Sequence, residues 1–211
     1  MSEKEKVLQQ ISEIQSHLVD KEIFFPYNFN ACHVWSLISV VLTLIMVPSY
    51  DHSILVGTVV TTIFVFLGFL VEGILTKQVN ESYDIDDCTR RQQFIMKNFI
   101  MIALFAIVFS TVLASYKLYI PIFILWLFLI SLGHFAISFI LNIKDYEKVA
   151  TFNIFMALLL SGVAVYFHLL EDRGTFLILV QAVVIFGLAV LPSLVAFKQQ
   201  KLEKSRKVCG V

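Results

Sequence analysis

The amino-acid sequence predicts an all-α, polytopic membrane protein: six transmembrane helices in a compact bundle, preceded by a short amphipathic N-terminal helix. Three observations carry that expectation. Of 211 residues, 58% are hydrophobic and only 15% charged, against roughly a quarter charged in a soluble domain, and the mean hydropathy is +0.83. The apolar residues gather in largely uncharged runs of about 18 to 25, the length a helix rising ~1.5 Å per residue needs to cross a hydrocarbon core of roughly 30 Å. Within the runs there is no polar/apolar alternation of the kind a membrane barrel needs, so each segment must satisfy its own backbone hydrogen bonds as a helix.

Residues 1–30 form the first unit. Ser2 and Glu5 make a capping-box pattern, and Val7, Ile11, Ile14 and Leu18 recur at helical spacing through Ser2–Val19, so this stretch reads as an amphipathic helix. Its stripe has three uses open to it: pairing with a second copy as a short coiled coil, lying on headgroups, or packing on the chain's own C-terminal extension. The segment lacks a short apolar core followed by a small-residue cleavage site, so it is not expected to be a removable signal peptide. Phe24, Phe25, Pro26, Tyr27 and Phe29 follow as an aromatic cluster suited to the membrane interface.

The spanning runs are expected at about 31–49, 53–76, 93–116, 118–142, 149–170 and 174–198, with a basic tail at 199–211. Pro121 falls at the start of the fourth run, where a missing N–H costs nothing. Pro192 lies inside the sixth, where in α-helical register it frees the carbonyl of Leu188 and predicts a kink. Six crossings put fourteen Lys and Arg residues on one side and only Lys117 and Arg173 on the other. By the positive-inside rule the rich side is cytoplasmic and holds both termini. The expected location is therefore the plasma membrane, with a bacterial inner membrane favoured.

Net charge is zero, and the charges sit at the ends of the runs, so no basic field gathers nucleic acid. The expected partners are the lipid bilayer, a second copy of the chain and a cytoplasmic protein met through the N-terminal helix. Cys32, Cys88 and Cys209 lack C-x-x-C spacing and fall on the reducing side, so free thiols are expected. The acidic stretch between Lys77 and Gln93 matches no cation-loop spacing and reads as a solvated charge run. The Asn80-Glu81-Ser82 sequon falls on the cytoplasmic side, where it is unused.

Ionisable residues inside the runs are the candidates for chemistry, because each is costly in hydrocarbon. Glu72 lies about 7.5 Å below the cytoplasmic end of the second helix, on a face where Thr58, Thr61, Val65 and Gly68 are small or polar. Lys97 enters the third helix at similar depth, so a structural ion pair or simple snorkelling competes with a transport or proton-relay role. On the fourth helix Ser131, His134, Ser138 and Asn142 share one stripe, with His134 about 12 Å below the same boundary. Such a stripe should face the bundle interior, and three roles stand for the imidazole: hydrogen-bonding glue between helices, a proton- or ligand-handling group, or a metal or haem ligand. Haem needs histidines at matched depth on facing helices, and His33, His52, His134 and His168 do not pair that way, so no cofactor is expected.

Two classes of function remain. One is a small transport or permeation module whose polar interior comprises Glu72, Lys97, Asn98, Ser131, His134, Ser138, Asn142 and Gln181. The other is a sensory, regulatory or scaffold protein acting through its cytoplasmic termini. An enzyme ranks third, because the sequence offers no nucleophile with a matching base and no G-x-S-x-G, Walker or H-E-x-x-H motif.

Overall fold

The computed structural model describes residues 27–82 and 90–208, with side chains as far as residue 202. The predicted N-terminal helix and most of the acidic loop lie outside that range. All regular structure among the described residues is helical: α1 Phe29–His52, α2 Ile54–Glu81, α3 Arg90–Ser115, α4 Tyr119–Leu141, α5 Lys144–Tyr166, α6 Thr175–Ile185, a π-helical turn Phe186–Val190, and α7 Leu191–Val208. The last three run on as one rod, so six spans among the described residues are long and apolar enough to cross a membrane. The protein is a multi-pass membrane protein.

Helix ends follow local chemistry. Asn28 caps α1 by accepting the N–H groups of Asn30 and Ala31 at 3.1 and 3.3 Å. Ser53, extended between α1 and α2, caps α2 by accepting Val56 N–H at 3.0 Å. Helices α3, α4 and α5 each stop at a left-handed residue, Lys117, Asn142 and His168. In each case the next N–H reaches back five residues, Leu118 to Leu113, Ile143 to Ser138 and Leu169 to Ala164. This is the Schellman closure, which satisfies carbonyls the helix leaves open.

The spans differ from the predicted runs mainly in starting or ending outside the apolar stretch. The fifth begins at Lys144 instead of 149 and ends at Tyr166 instead of 170. Its charged first turn carries Asp145 and Glu147 at the positive end of the helix dipole, and between them Tyr146 is wholly buried. Charge marks where a helix leaves lipid, not where it stops being a helix. For the same reason α2 runs on to Glu81, and α7 continues to Val208 through what was expected to be a separate tail.

Helix α1 packs against α2 and the sixth span, while α4 packs between α3 and α5. At the end of the bundle away from the termini, Met46, Tyr50, Tyr119, Ile120, Leu127 and Leu160 form a continuous buried core. Asp51 pins that end: it accepts the Tyr119 hydroxyl at 2.7 Å and pairs with Arg173 at 3.0 Å, whose guanidinium lies over the Tyr119 ring. The terminal end is pinned by Lys198 on Asp145 at 2.6 Å and Gln200 on Asn30 at 2.9 Å. There, too, Asn80 and Gln92 exchange amide hydrogen bonds at 3.1 and 2.7 Å between α2 and α3. Asn80 is buried in that clasp, which removes the sequon's amide from the surface. The outward faces of α2 and α3 expose Leu55, Ile63, Phe66, Met101, Leu104 and Val108, as a lipid-facing surface should.

The proline of the sixth span acts differently from the expectation. Leu191 N–H bonds to Phe186 O, a π-helical i to i−5 bond, so the next carbonyl in that register, Gly187 O, faces the nitrogen of Pro192, which carries no hydrogen. The carbonyl left open is thus Gly187 rather than Leu188. Asn153 of α5 supplies the missing donor, its Nδ2 reaching Gly187 O at 2.9 Å. Gly187 is required for this approach, because a Cβ there would collide with Asn153 Oδ1.

Candidate functional site

A cavity of about 120 Å³ lies inside the bundle, walled by α1, α2, α3, α4 and the π-bent sixth span. It is partly open, and its wall is overwhelmingly apolar, with Leu42, Val65, Ala103 and Ile130 among the lining side chains. Set into that wall are Tyr27, Cys32, Trp35, Glu72 and His134. The chain has two tryptophans, Trp35 and Trp126, and both line it.

Glu72 is held by Trp35, whose indole N–H donates to Oε2 at 2.8 Å. The ring packs edge-on against Phe69, with centroids 4.9 Å apart. It reaches Glu72 across Gly68, where an added Cβ would come within 2.7 Å of the indole. The small face predicted for α2 is therefore the face on which α1 lays its aromatic side chains, and Gly57 receives Tyr50 in the same way.

His134 is 8% exposed, and its Nδ1 is buried without a partner. Its ring stacks on Tyr146, with centroids 5.8 Å apart and planes 8° from parallel, and meets Phe99 edge-on. Gly133 makes room for Phe99, since a Cβ there would touch the ring. Tyr146 Oη lies 3.1 Å from Cys32 Sγ, which in turn is 3.3 Å from Tyr27 Oη. Burial pushes the Tyr27 phenol well above its ordinary range, so it meets the thiol as a neutral hydroxyl. Cys32 is a free, buried thiol, and it faces tyrosines where a nucleophile would need a base.

The structure brings Glu72 and His134 to this one cavity and distributes the other candidates elsewhere. Lys97 is exposed, and among the described residues no ion pair joins it to Glu72, whose partner is Trp35. The expected Glu72–Lys97 pair is thus replaced by an indole–carboxylate bond, which satisfies the acid without desolvating a second charge. Asn142 is exposed as the left-handed cap of α4, outside the interior stripe, because asparagine tolerates the positive φ that ends the helix. Ser131 and Ser138 are buried, but they donate to Leu127 O at 2.6 Å and Ile143 O at 3.0 Å within their own helix and its cap. Asn98 is half-buried on α3, outside the cavity wall. Gln181 donates to Thr43 O at 2.9 Å, tying the sixth span to α1.

The hydrogen-bonding glue expected of His134 is replaced by ring stacking. Among the described residues no group of three His, Cys, Asp or Glu side chains converges as a metal site would require. Sequence reasoning passed over the tryptophans and read Tyr27 as an interface aromatic, whereas all three line the cavity. Trp35 lies only four residues inside the first run, where a tryptophan reads as an ordinary interface residue, and nothing in the sequence marks the two tryptophans as sharing a cavity.

No protein-family model, curated protein or solved structure matches the chain. The functional reading rests on the cavity and the groups in its wall.

Proposed function

We propose that this protein binds a small lipophilic molecule within the bilayer, in the cavity among α1 to α4 and the sixth span, as a step in moving that molecule within or across the membrane. One observation supports this above the others. An apolar void has a carboxylate and an imidazole set in its wall, groups whose desolvation lowers stability unless something in the void makes use of them.

The size is consistent with this reading. A void of about 120 Å³ is close to the roughly 150 Å³ apolar cavity that accepts benzene, so one ring or one branched alkyl group fits inside it, and the remainder of a larger ligand extends through its open side. The tight core of Tyr119, Ile120 and Leu127 beyond it favours a closed binding chamber over an open pore. The ligand enters from the membrane or from the terminal end.

The membrane we propose is the plasma membrane with both ends of the chain cytoplasmic, supported by the fourteen-to-two distribution of Lys and Arg. Single-cysteine labelling with an impermeant maleimide should modify positions at Asp51 or Arg173 from outside intact cells and spare Asp145. The reverse pattern would overturn the orientation.

Binding is testable because both tryptophans report on the cavity. A brominated aromatic such as bromobenzene, titrated into purified protein in micelles and corrected for partition, should quench tryptophan emission saturably. Linear, collisional quenching at all concentrations would contradict the proposal.

A further inference from the structure

We infer that the ligand this cavity is built for is a lipophilic cation, with Glu72 as its counter-ion. The inference rests on the cavity being a binding site, and it names the ligand's class.

Glu72 has one neutral donor, the Trp35 indole on Oε2. Among the described residues no lysine or arginine lines the cavity. Of the basic residues flanking it, Lys77 pairs with Glu81 and Lys97 is exposed. A carboxylate in such a place is either held neutral or lacks a partner for its charge, and a cation arriving in the void provides one.

The rest of the wall suits the same occupant. Tyr27, Trp35, Phe69, Phe99, Phe123 and Trp126 line the cavity, and aromatic faces attract a cation most strongly where water is excluded. The apolar residues between them accommodate the ligand's hydrocarbon, which an inorganic cation would leave unmatched. A neutral hydrocarbon would fill the void but leave the carboxylate unused. An anion would be repelled by it.

The test uses two probes of the same shape, benzyltrimethylammonium and neopentylbenzene, which differ by a charged nitrogen in place of a carbon. Their binding to the purified full chain is read from tryptophan emission, with micelle partition measured separately. The cation should bind about tenfold tighter, the scale set by a cation–π contact with a partly desolvated ion pair. Glu72→Gln should remove that preference, bringing the affinity for the cation down to that for neopentylbenzene.

The comparison on the unaltered chain needs no variant to fold. If neopentylbenzene binds saturably and as tightly as the cation, or if the preference survives in Glu72→Gln, the cation assignment is overturned while the binding site stands. If neither probe binds saturably, the binding site itself is overturned.

Discussion

His134 shows how far a single residue's role can be read before its neighbours are known. The spacing of Ser131, His134 and Ser138 places them on one inward face of α4, and all three are buried there. Their hydrogen bonds do not follow from that spacing, because a serine in a helix can bond a carbonyl of its own chain without any help from a neighbouring helix. Ser131 does so. The histidine, lacking that local option, is left stacked on Tyr146 with Nδ1 unpartnered. Its contribution to stability is therefore that of a flat ring. His134→Phe should keep the stacking, relieve an unsatisfied polar atom and leave the melting temperature unchanged or raised, by up to the ~1–3 kcal/mol that such an atom costs. A melting temperature lowered by several degrees would show that the imidazole has a partner holding the helices together.

At the scale of an element, the sixth span shows a proline whose consequence is legible but whose register is not. Pro192 marks a break in the sequence, and counting four residues back points to Leu188. The π turn shifts that count by one, so Gly187 O is the acceptor left open and Asn153 supplies its hydrogen. That shift depends on α5 presenting an amide opposite Gly187, a contact between residues 34 positions apart, which no local pattern encodes. Asn153→Leu should destabilise the protein by about 1–3 kcal/mol, because a carbonyl is left unpaired away from water. Pro192→Ala restores an N–H to the helix, so in that background Asn153→Leu should cost markedly less. Strictly additive losses of the two changes in thermal unfolding would contradict this account. Helix limits follow the same logic: apolar length locates each crossing, while Lys117, Asn142 and His168 in left-handed conformation decide where three of the helices end.

For the whole molecule, six crossings were legible because apolar length is a property of each segment alone. The arrangement of the segments around a void was not. Its wall takes side chains from five of the six spans, and every membrane helix carries apolar residues on all sides, so nothing in the sequence separates lipid-facing from cavity-facing positions. Glu72 and His134 stood out because they are ionisable. Trp35, Cys32 and Trp126 did not, since each passes as an ordinary membrane residue until a neighbouring helix is placed against it. The small residues Gly57, Gly68 and Gly133 mark where those helices approach, each meeting one aromatic ring.

The account depends most on the cavity being a real void that a ligand uses, and filling it tests that directly. Ala103 is buried and lines the cavity from α3, and in Ala103→Phe the added ring takes the space of a benzene-sized guest. The measurement is thermal unfolding of this variant and of the unaltered chain, each with and without bromobenzene. The account predicts an unliganded melting temperature equal to or above that of the unaltered chain, and loss of the ligand-induced rise. A melting temperature lowered by overpacking, worth ~1–3 kcal/mol, with the ligand-induced rise intact, would contradict it.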